Sequence, residues 1–94
     1  MSNILASHKP NRPADLIWHE TDDGTVIVSP TAGKVRVLNK VGTTIWELMD
    51  GQRTVADIEQ SLTETYRHVP APQINLDLFD FLRDLTDRGL VEWQ

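Results

Sequence analysis

The chain has 94 residues and contains no cysteine, which removes several kinds of chemistry at once. There is no disulfide framework, no thiolate nucleophile and no cysteine-ligated metal site. No apolar run approaches the roughly 18 residues that a membrane-spanning helix needs. The N-terminus also lacks the apolar segment and cleavage site of a secretory signal. We therefore predict a cytoplasmic protein with no membrane association.

Basic residues are scarce as well. Nine Lys and Arg stand against fourteen Asp and Glu, which gives a formal net charge of −5. The basic residues are scattered singly, whereas proteins that bind nucleic acid usually gather them into a patch that neutralises phosphates. The charge pattern therefore counts against a nucleic-acid partner.

Motifs for catalysis or metal binding are also missing. His8, His19 and His68 are not spaced as pairs of metal ligands. His19 and Glu20 are neighbours in a predicted strand, so their side chains point to opposite faces and cannot act as an acid–base pair. No serine has the setting of a nucleophile elbow. We predict that the chain is not an enzyme and holds no cofactor or metal.

A chain of 94 residues makes one domain. Residues 1–14 are mostly polar and include Pro10 and Pro13, so we predict a flexible N-terminal arm. Residues 15–94 are then the folded domain.

Three segments have the pattern of β-strands, at residues 16–20, 25–29 and 34–38. Asp23-Gly24 is expected to supply the positive-φ positions of the first turn, and residues 30–33 form the second. In the third strand, Val35 and Val37 share one face while Lys34, Arg36 and Leu38 share the other. Short connections predict an antiparallel meander whose first and third strands are edges.

The rest of the chain has helical periodicity. Asn39 is a good N-cap for a first helix that ends at Asp50-Gly51, and Thr54 with Asp57 resembles a capping box for a second. Prolines predict a loop at residues 68–72. A third helix places Asp77, Asp80, Asp84 and Asp87 opposite an apolar face, which comprises Ile74, Leu78, Phe81, Leu82 and Leu85.

After Gly89, residues 90–93 are expected to dock on the body as an extended tail. The order of three strands and three helices predicts an α+β fold with the helices on one face of a small sheet.

Three interpretations stay open at the level of residues. Trp46 and Phe81 are either core or groove wall, and the acids of the third helix form either a solvated face or a docking surface. The free edge at residues 34–38 is either protected by Lys34 and Arg36 or accepts an extended peptide as a fourth strand. A second copy of the chain could also close this edge as a homodimer.

Short segments between Val26 and Val91 follow one another in a set order. They are residues 26–30, 37–39, 44–48 and 50–58, and residues 77–85 with 89–91, which include Leu-Asn, Asp-Gly-x-x-Thr-Val and Asp-x-x-x-Phe-Leu-x-x-Leu. Each segment is short, but in this order they resemble the PqqD family of small peptide chaperones.

The resemblance implies a winged-helix-like fold and a non-catalytic function. The chaperone would bind the leader of a ribosomally made precursor peptide by strand addition, and present it to a radical S-adenosylmethionine enzyme or another modifying enzyme. Carried onto this chain, the peptide-binding residues are Lys34, Val35, Arg36, Val37 and Leu38 on the strand and Leu78, Phe81, Leu82 and Leu85 on the third helix.

Two departures leave the pathway open. Pro30-Thr31 stands where members of the pyrroloquinoline quinone pathway tend to have Pro-Glu, and residues 41–44 replace an alanine-rich helix start. The pathway is therefore pyrroloquinoline quinone biosynthesis or that of a lasso-type or other modified peptide. A winged-helix DNA-binding regulator is the alternative function.

Overall fold

The computed structural model describes residues 4–94 and contains two small sheets and three helices. The strands are β1 (Pro10–Asn11), β2 (Ile17–Thr21), β3 (Gly24–Ser29), β4 (Lys34–Leu38) and β5 (Glu92–Trp93). The helices are α1 (Lys40–Leu48), α2 (Val55–Thr65) and α3 (Ala71–Asp87). The main sheet is antiparallel in the order β2-β3-β4, followed by the three helices, which confirms the predicted α+β architecture.

The first hairpin differs from the prediction in how it uses Gly24. The first strand begins one residue later than predicted, at Ile17, and the second begins at Gly24 itself. Gly24 has φ of 158°, close to extended backbone. Its role is one of space, because a Cβ there would lie 1.8 Å from the carbonyl oxygen of Leu38. The start of β3 can therefore lie against the end of β4 only without a side chain.

The helix starts follow the predicted caps closely. The Asn39 side chain accepts a hydrogen bond from the Gly42 amide at 2.8 Å, and α1 begins at the next residue, Lys40. Thr54 and Asp57 form the reciprocal bonds of a capping box at the start of α2. The loop predicted at residues 68–72 is two residues too long, because α3 begins directly after Pro70. Pro72 lies in the first helical turn, where a missing N–H costs nothing.

The core lies between the inner face of the main sheet and the helices. Trp46 is completely buried in it, which confirms the core alternative for that residue. Its ring meets Trp18 of β2 edge to face, with centroids 6.1 Å apart. The other members come from β3, β4, every helix and the tail, and they include Ile27, Leu38, Ile45, Met49, Val55, Ile58, Leu62 and Leu90.

The N-terminal segment is not the free arm that the sequence predicts. β1 pairs with β5, and Pro10 is buried. The carbonyls of Ala6 and His8 accept hydrogen bonds from the first turn of α2 at 3.0 and 2.9 Å. The Arg12 guanidinium donates to the carbonyl of Trp46 at 2.7 Å, at the end of α1. Residues 6–12 are thus fastened to the body, whereas residues 1–3 of the predicted arm lie outside the described residues.

Candidate functional site

β4 is a free edge of the main sheet, as predicted. It pairs on one side with β3, in a register that places Arg36 opposite Ile27 and Val37 opposite Val26. The carbonyl of Val37 accepts a hydrogen bond from the Arg36 side chain at 2.7 Å, so it points away from β3. Alternate residues of an antiparallel strand direct their amides to opposite sides. The N–H and C=O groups of Val35 and Val37 therefore line the free edge.

The two faces of β4 have opposite surroundings. Val35 and Val37 are each 61 % exposed, on the sheet face that no helix covers. Leu38 is buried and Arg36 half-buried on the helix side. The period-2 pattern separates the two sets correctly, although the valines are the outward set. A strand added at this edge would meet apolar side chains on both faces.

Helix α3 runs beside β4 in the opposite direction. At one end, Phe81 packs near Leu38 across Gly42, whose added Cβ would lie 3.1 Å from the Phe81 ring and 3.3 Å from the Leu38 Cβ. In the middle, Arg36 meets Asp84. At the other end, Lys34 and Arg88 line one depression with Arg36. A groove thus lies along the free edge, with its apolar end at Leu38 and its basic end at Lys34.

Arg36 ties the strand to the helix. Its Nε and one terminal nitrogen donate to the same Asp84 oxygen at 3.2 and 3.1 Å, and the other terminal nitrogen bonds the Val37 carbonyl. The second oxygen of Asp84 accepts from Arg88 at 3.0 Å. Partial burial acts to raise the pKa of Asp84, but the hydrogen bonds and charges of Arg88 and Arg36 outweigh it and hold that pKa below its usual value.

The α3 residues predicted to wall the groove divide into two groups. Phe81 is half-buried and keeps exposed surface beside β4. Leu78, Leu82 and Leu85 are fully buried in the core, so they support the groove wall from beneath and offer no surface of their own. Their position on the apolar stripe of α3 places them in the core, so the expectation that these three leucines line the groove surface is corrected.

Sequence reasoning did not assign Asp84 and Arg88 to the groove. Asp84 belongs to the acidic face of α3, which resembles solvated surface. The signal that could have found it is its spacing of three residues from Phe81, which places both on neighbouring rows of the helix.

A separate apolar pocket, with no β4 residue in its lining, is found near the start of α1. It lies where α1, α2 and α3 meet, and Asp77 on its rim is one helical turn before Phe81. The lining residues are Val41, Ile45, Leu62, Tyr66, Val69, Ile74, Asp77 and Leu78. Val41 is partly exposed here, three residues after Leu38. An apolar side chain of a ligand could therefore be buried in this pocket.

Within residues 4–94, no three His, Asp or Glu side chains cluster in a way that could hold a metal ion. The helices described are also too short or too polar to cross a membrane. The groove beside β4 offers main-chain pairing next to apolar and basic side chains.

Comparison with known proteins gives a coherent set of relatives. A family model described as coenzyme PQQ synthesis protein D (PqqD) matches residues 24–91. A PqqA binding protein of Bradyrhizobium diazoefficiens is 30% identical over 80 residues, which cover 85% of this chain and 75% of that protein.

Two solved structures have the same fold. TbiB1 in complex with the TbiA(beta) leader peptide has a TM-score of 0.78 and 28% identity, over 87% of this chain and 94% of that one. The solution NMR structure of a Methylobacterium extorquens PqqD truncation, described as a stand-alone recognition element for ribosomally synthesised and post-translationally modified peptides, has a TM-score of 0.70 and 24% identity. It covers 88% of this chain and 87% of the truncation.

Proposed function

The chain belongs to the PqqD family, and from that membership we propose that it binds the leader segment of a ribosomally made precursor peptide along β4. The observation that carries the proposal is the free edge itself. The amides of Val35 and Val37 line this edge, and α3 provides a wall beside it. An extended peptide would add a fourth strand there, with main-chain hydrogen bonds for affinity and side-chain contacts for register.

The relatives support this proposal through what they bind. The Bradyrhizobium relative is named for binding PqqA, and TbiB1 was solved with a leader peptide. Because a flexible leader loses conformational freedom when it becomes a strand, we expect an affinity on the order of micromolar or somewhat tighter.

The proposed role is that of a chaperone without catalysis of its own. It would present the bound peptide to a radical S-adenosylmethionine enzyme or another peptide-modifying enzyme, in pyrroloquinoline quinone biosynthesis or a related pathway. The cytoplasm, where ribosomes release precursor peptides, is the expected location. A homodimer that uses the same edge would compete with the peptide.

An NMR titration tests the proposal. Isotope-labelled protein is titrated with synthetic leader peptides from reading frames that neighbour its gene. We expect amide shifts concentrated in residues 34–38 and on α3 between residues 74 and 88, with the largest at Val35 and Val37. Shifts confined to other surfaces, or no shifts with any of these peptides, would contradict the proposal. Binding of duplex DNA with a steep salt dependence would favour the winged-helix alternative.

A further inference from the structure

Arg36 contacts an acceptor that an incoming strand would use. One terminal nitrogen of its guanidinium holds the Val37 carbonyl at 2.7 Å. That oxygen is one of the acceptors on the free edge, and a strand that pairs with β4 needs it for its own N–H. Peptide addition therefore competes with this contact, and the terminal nitrogen that releases Val37 is then left without its partner.

Asp84 does not by itself satisfy the released arginine. It already receives Nε and one terminal nitrogen of Arg36 on one oxygen, while Arg88 occupies the other oxygen. Since Arg88 stays in place, Asp84 remains paired even if Arg36 turns towards the peptide. The release of Arg36 thus leaves Asp84 paired with Arg88, and Arg36 becomes available for a new carboxylate.

The geometry of strand pairing fixes which peptide residue Arg36 would meet. The N–H and C=O groups of Val35 and Val37 point to the free edge, so these two residues form the hydrogen-bonded pairs with the added strand. Arg36 lies between them, at a non-hydrogen-bonded position, where facing Cα atoms are only about 4.5 Å apart and side chains are closest. The peptide residue opposite Arg36 also points to the same side of the sheet, into the groove.

Neighbouring positions add to the pattern. Peptide residues two positions away also point into the groove, opposite Leu38 on one side and Lys34 on the other. Leu38 lies near Phe81 and is buried, whereas Lys34 shares a depression with Arg36 and Arg88. Within the described residues Lys34 forms no ion pair. In a chain of net charge −5, this concentration of basic groups at one end of the groove marks it for an acidic ligand.

We propose that the groove selects a leader segment of the pattern apolar-x-acidic-x-acidic, read from its N-terminus and added antiparallel to β4. The apolar side chain faces Leu38 and Phe81, the first acid replaces the Val37 carbonyl as the partner of Arg36, and the second acid faces Lys34. The x positions lie beside Val35 and Val37 on the outer face. This inference rests on the proposed function and specifies the peptide class that the edge accepts.

Selection from a displayed library of random peptides tests the pattern, with the folded wild-type chain as bait and Val37→Pro as the counter-bait. We expect the enriched peptides to carry the apolar-x-acidic-x-acidic pattern and to be lost on the counter-bait. Enriched peptides that depend on Val37 but lack the acids, or that carry them before the apolar residue, would overturn the inference and leave the proposed function standing. Enrichment that is indifferent to Val37→Pro, or no enrichment, would overturn both.

A charge exchange then tests the role of Arg36. With an enriched peptide, Arg36→Glu should weaken binding by roughly 10-fold or more, and a peptide with lysine at the first acidic position should recover it. Arg36→Gln removes the charge without adding a carboxylate beside Asp84, and it should weaken binding by roughly 5-fold. Arg83→Glu is the matched control, because Arg83 is an exposed residue of α3 paired with Asp80. Equal losses for Arg83→Glu and Arg36→Glu, or no rescue by lysine, would overturn the assignment.

Discussion

The main sheet has two free edges, β2 and β4. Both present main-chain N–H and C=O groups, but the side chains beside them differ in charge. β4 carries Lys34 and Arg36 beside α3, whereas Glu20 of β2 lies against Glu47 of α1. Burial is the largest cause that raises the pKa of Glu47, and the negative charge of Glu20 raises it further. The positive charge of Arg12 acts in the opposite direction. Both edges offer unpaired amides, so under the proposed function the neighbouring side chains would decide which edge accepts an acidic strand.

The largest expected effect is loss of binding when the β4 edge is blocked. Val37→Pro removes an outward N–H while leaving the β3–β4 ladder intact, and its ring meets the incoming strand. A lost hydrogen bond with an unsatisfied partner costs about 1–3 kcal/mol, which corresponds to roughly 5- to 150-fold in affinity. Fluorescence anisotropy with a labelled leader peptide measures this change.

The matched control is Glu20→Pro on β2. Thr21 pairs with Gly24 across a two-residue turn, so Glu20 directs its amide away from β3 in the same way. We expect its peptide affinity to equal that of the wild type. If both prolines weaken binding alike while circular dichroism shows folded protein, the peptide does not distinguish the two edges and the β4 assignment is wrong.

Local signals in the sequence are enough to locate β4 and the starts of α1 and α2. The capping box at Thr54, the N-cap at Asn39 and the alternation in β4 act within a few residues, so the elements they begin or define could be predicted. The period of a strand says that Val35 and Val37 share a face, but not that the helices cover the other one. That choice depends on where α3 packs.

The contacts that shape the groove depend on distant parts of the chain. Arg36 and Asp84 are 48 residues apart, and the pairing of β1 with β5 joins the two ends of the chain. Neither has a local pattern, since Asp84 is one of several evenly spaced acids and Pro10 resembles the prolines of a free arm. The free edge was therefore predictable, whereas the ion pair beside it was not.

A smaller effect is expected when the groove loses its internal acid. Asp84→Asn keeps the shape of the side chain but removes a negative charge beside the proposed site of the first peptide acid, so an acidic peptide meets less repulsion there. We expect the affinity for a peptide with the apolar-x-acidic-x-acidic pattern to rise by roughly 3- to 10-fold. Isothermal titration calorimetry gives the affinities. Asp80→Asn, at an exposed position paired with Arg83, should leave the affinity unchanged, and a fall in affinity for Asp84→Asn would count against the exchange of partners at Arg36.

A change at the other edge should act on stability and not on binding. Glu20→Lys replaces a like charge beside Glu47 with an opposite one, so we expect the free energy of unfolding to rise by about 0.5 kcal/mol at low salt. Urea denaturation measures it, and added salt should reduce the gain. The affinity for a peptide at β4 should stay as it is. A stronger peptide affinity would show that the acids of β2 also influence the β4 site.

The smallest effect is the change in folding stability at acid pH, where the groups beside the two edges act in opposite directions. The pKa of Asp84 is lowered in the folded protein, so its contribution to stability is present above the ordinary aspartate range near pH 4 and is lost as the pH falls through the lowered value. The pKa of Glu47 is raised, so its charge opposes folding and protonation below neutral pH relieves that cost. Thermal unfolding between neutral pH and about pH 3 should therefore show a slight gain followed by a loss. Asp84→Asn should reduce the loss of thermal stability at low pH, because it removes the charge beside β4. Glu20→Lys should reduce the gain in thermal stability, because it removes the charge of β2 that raises the pKa of Glu47.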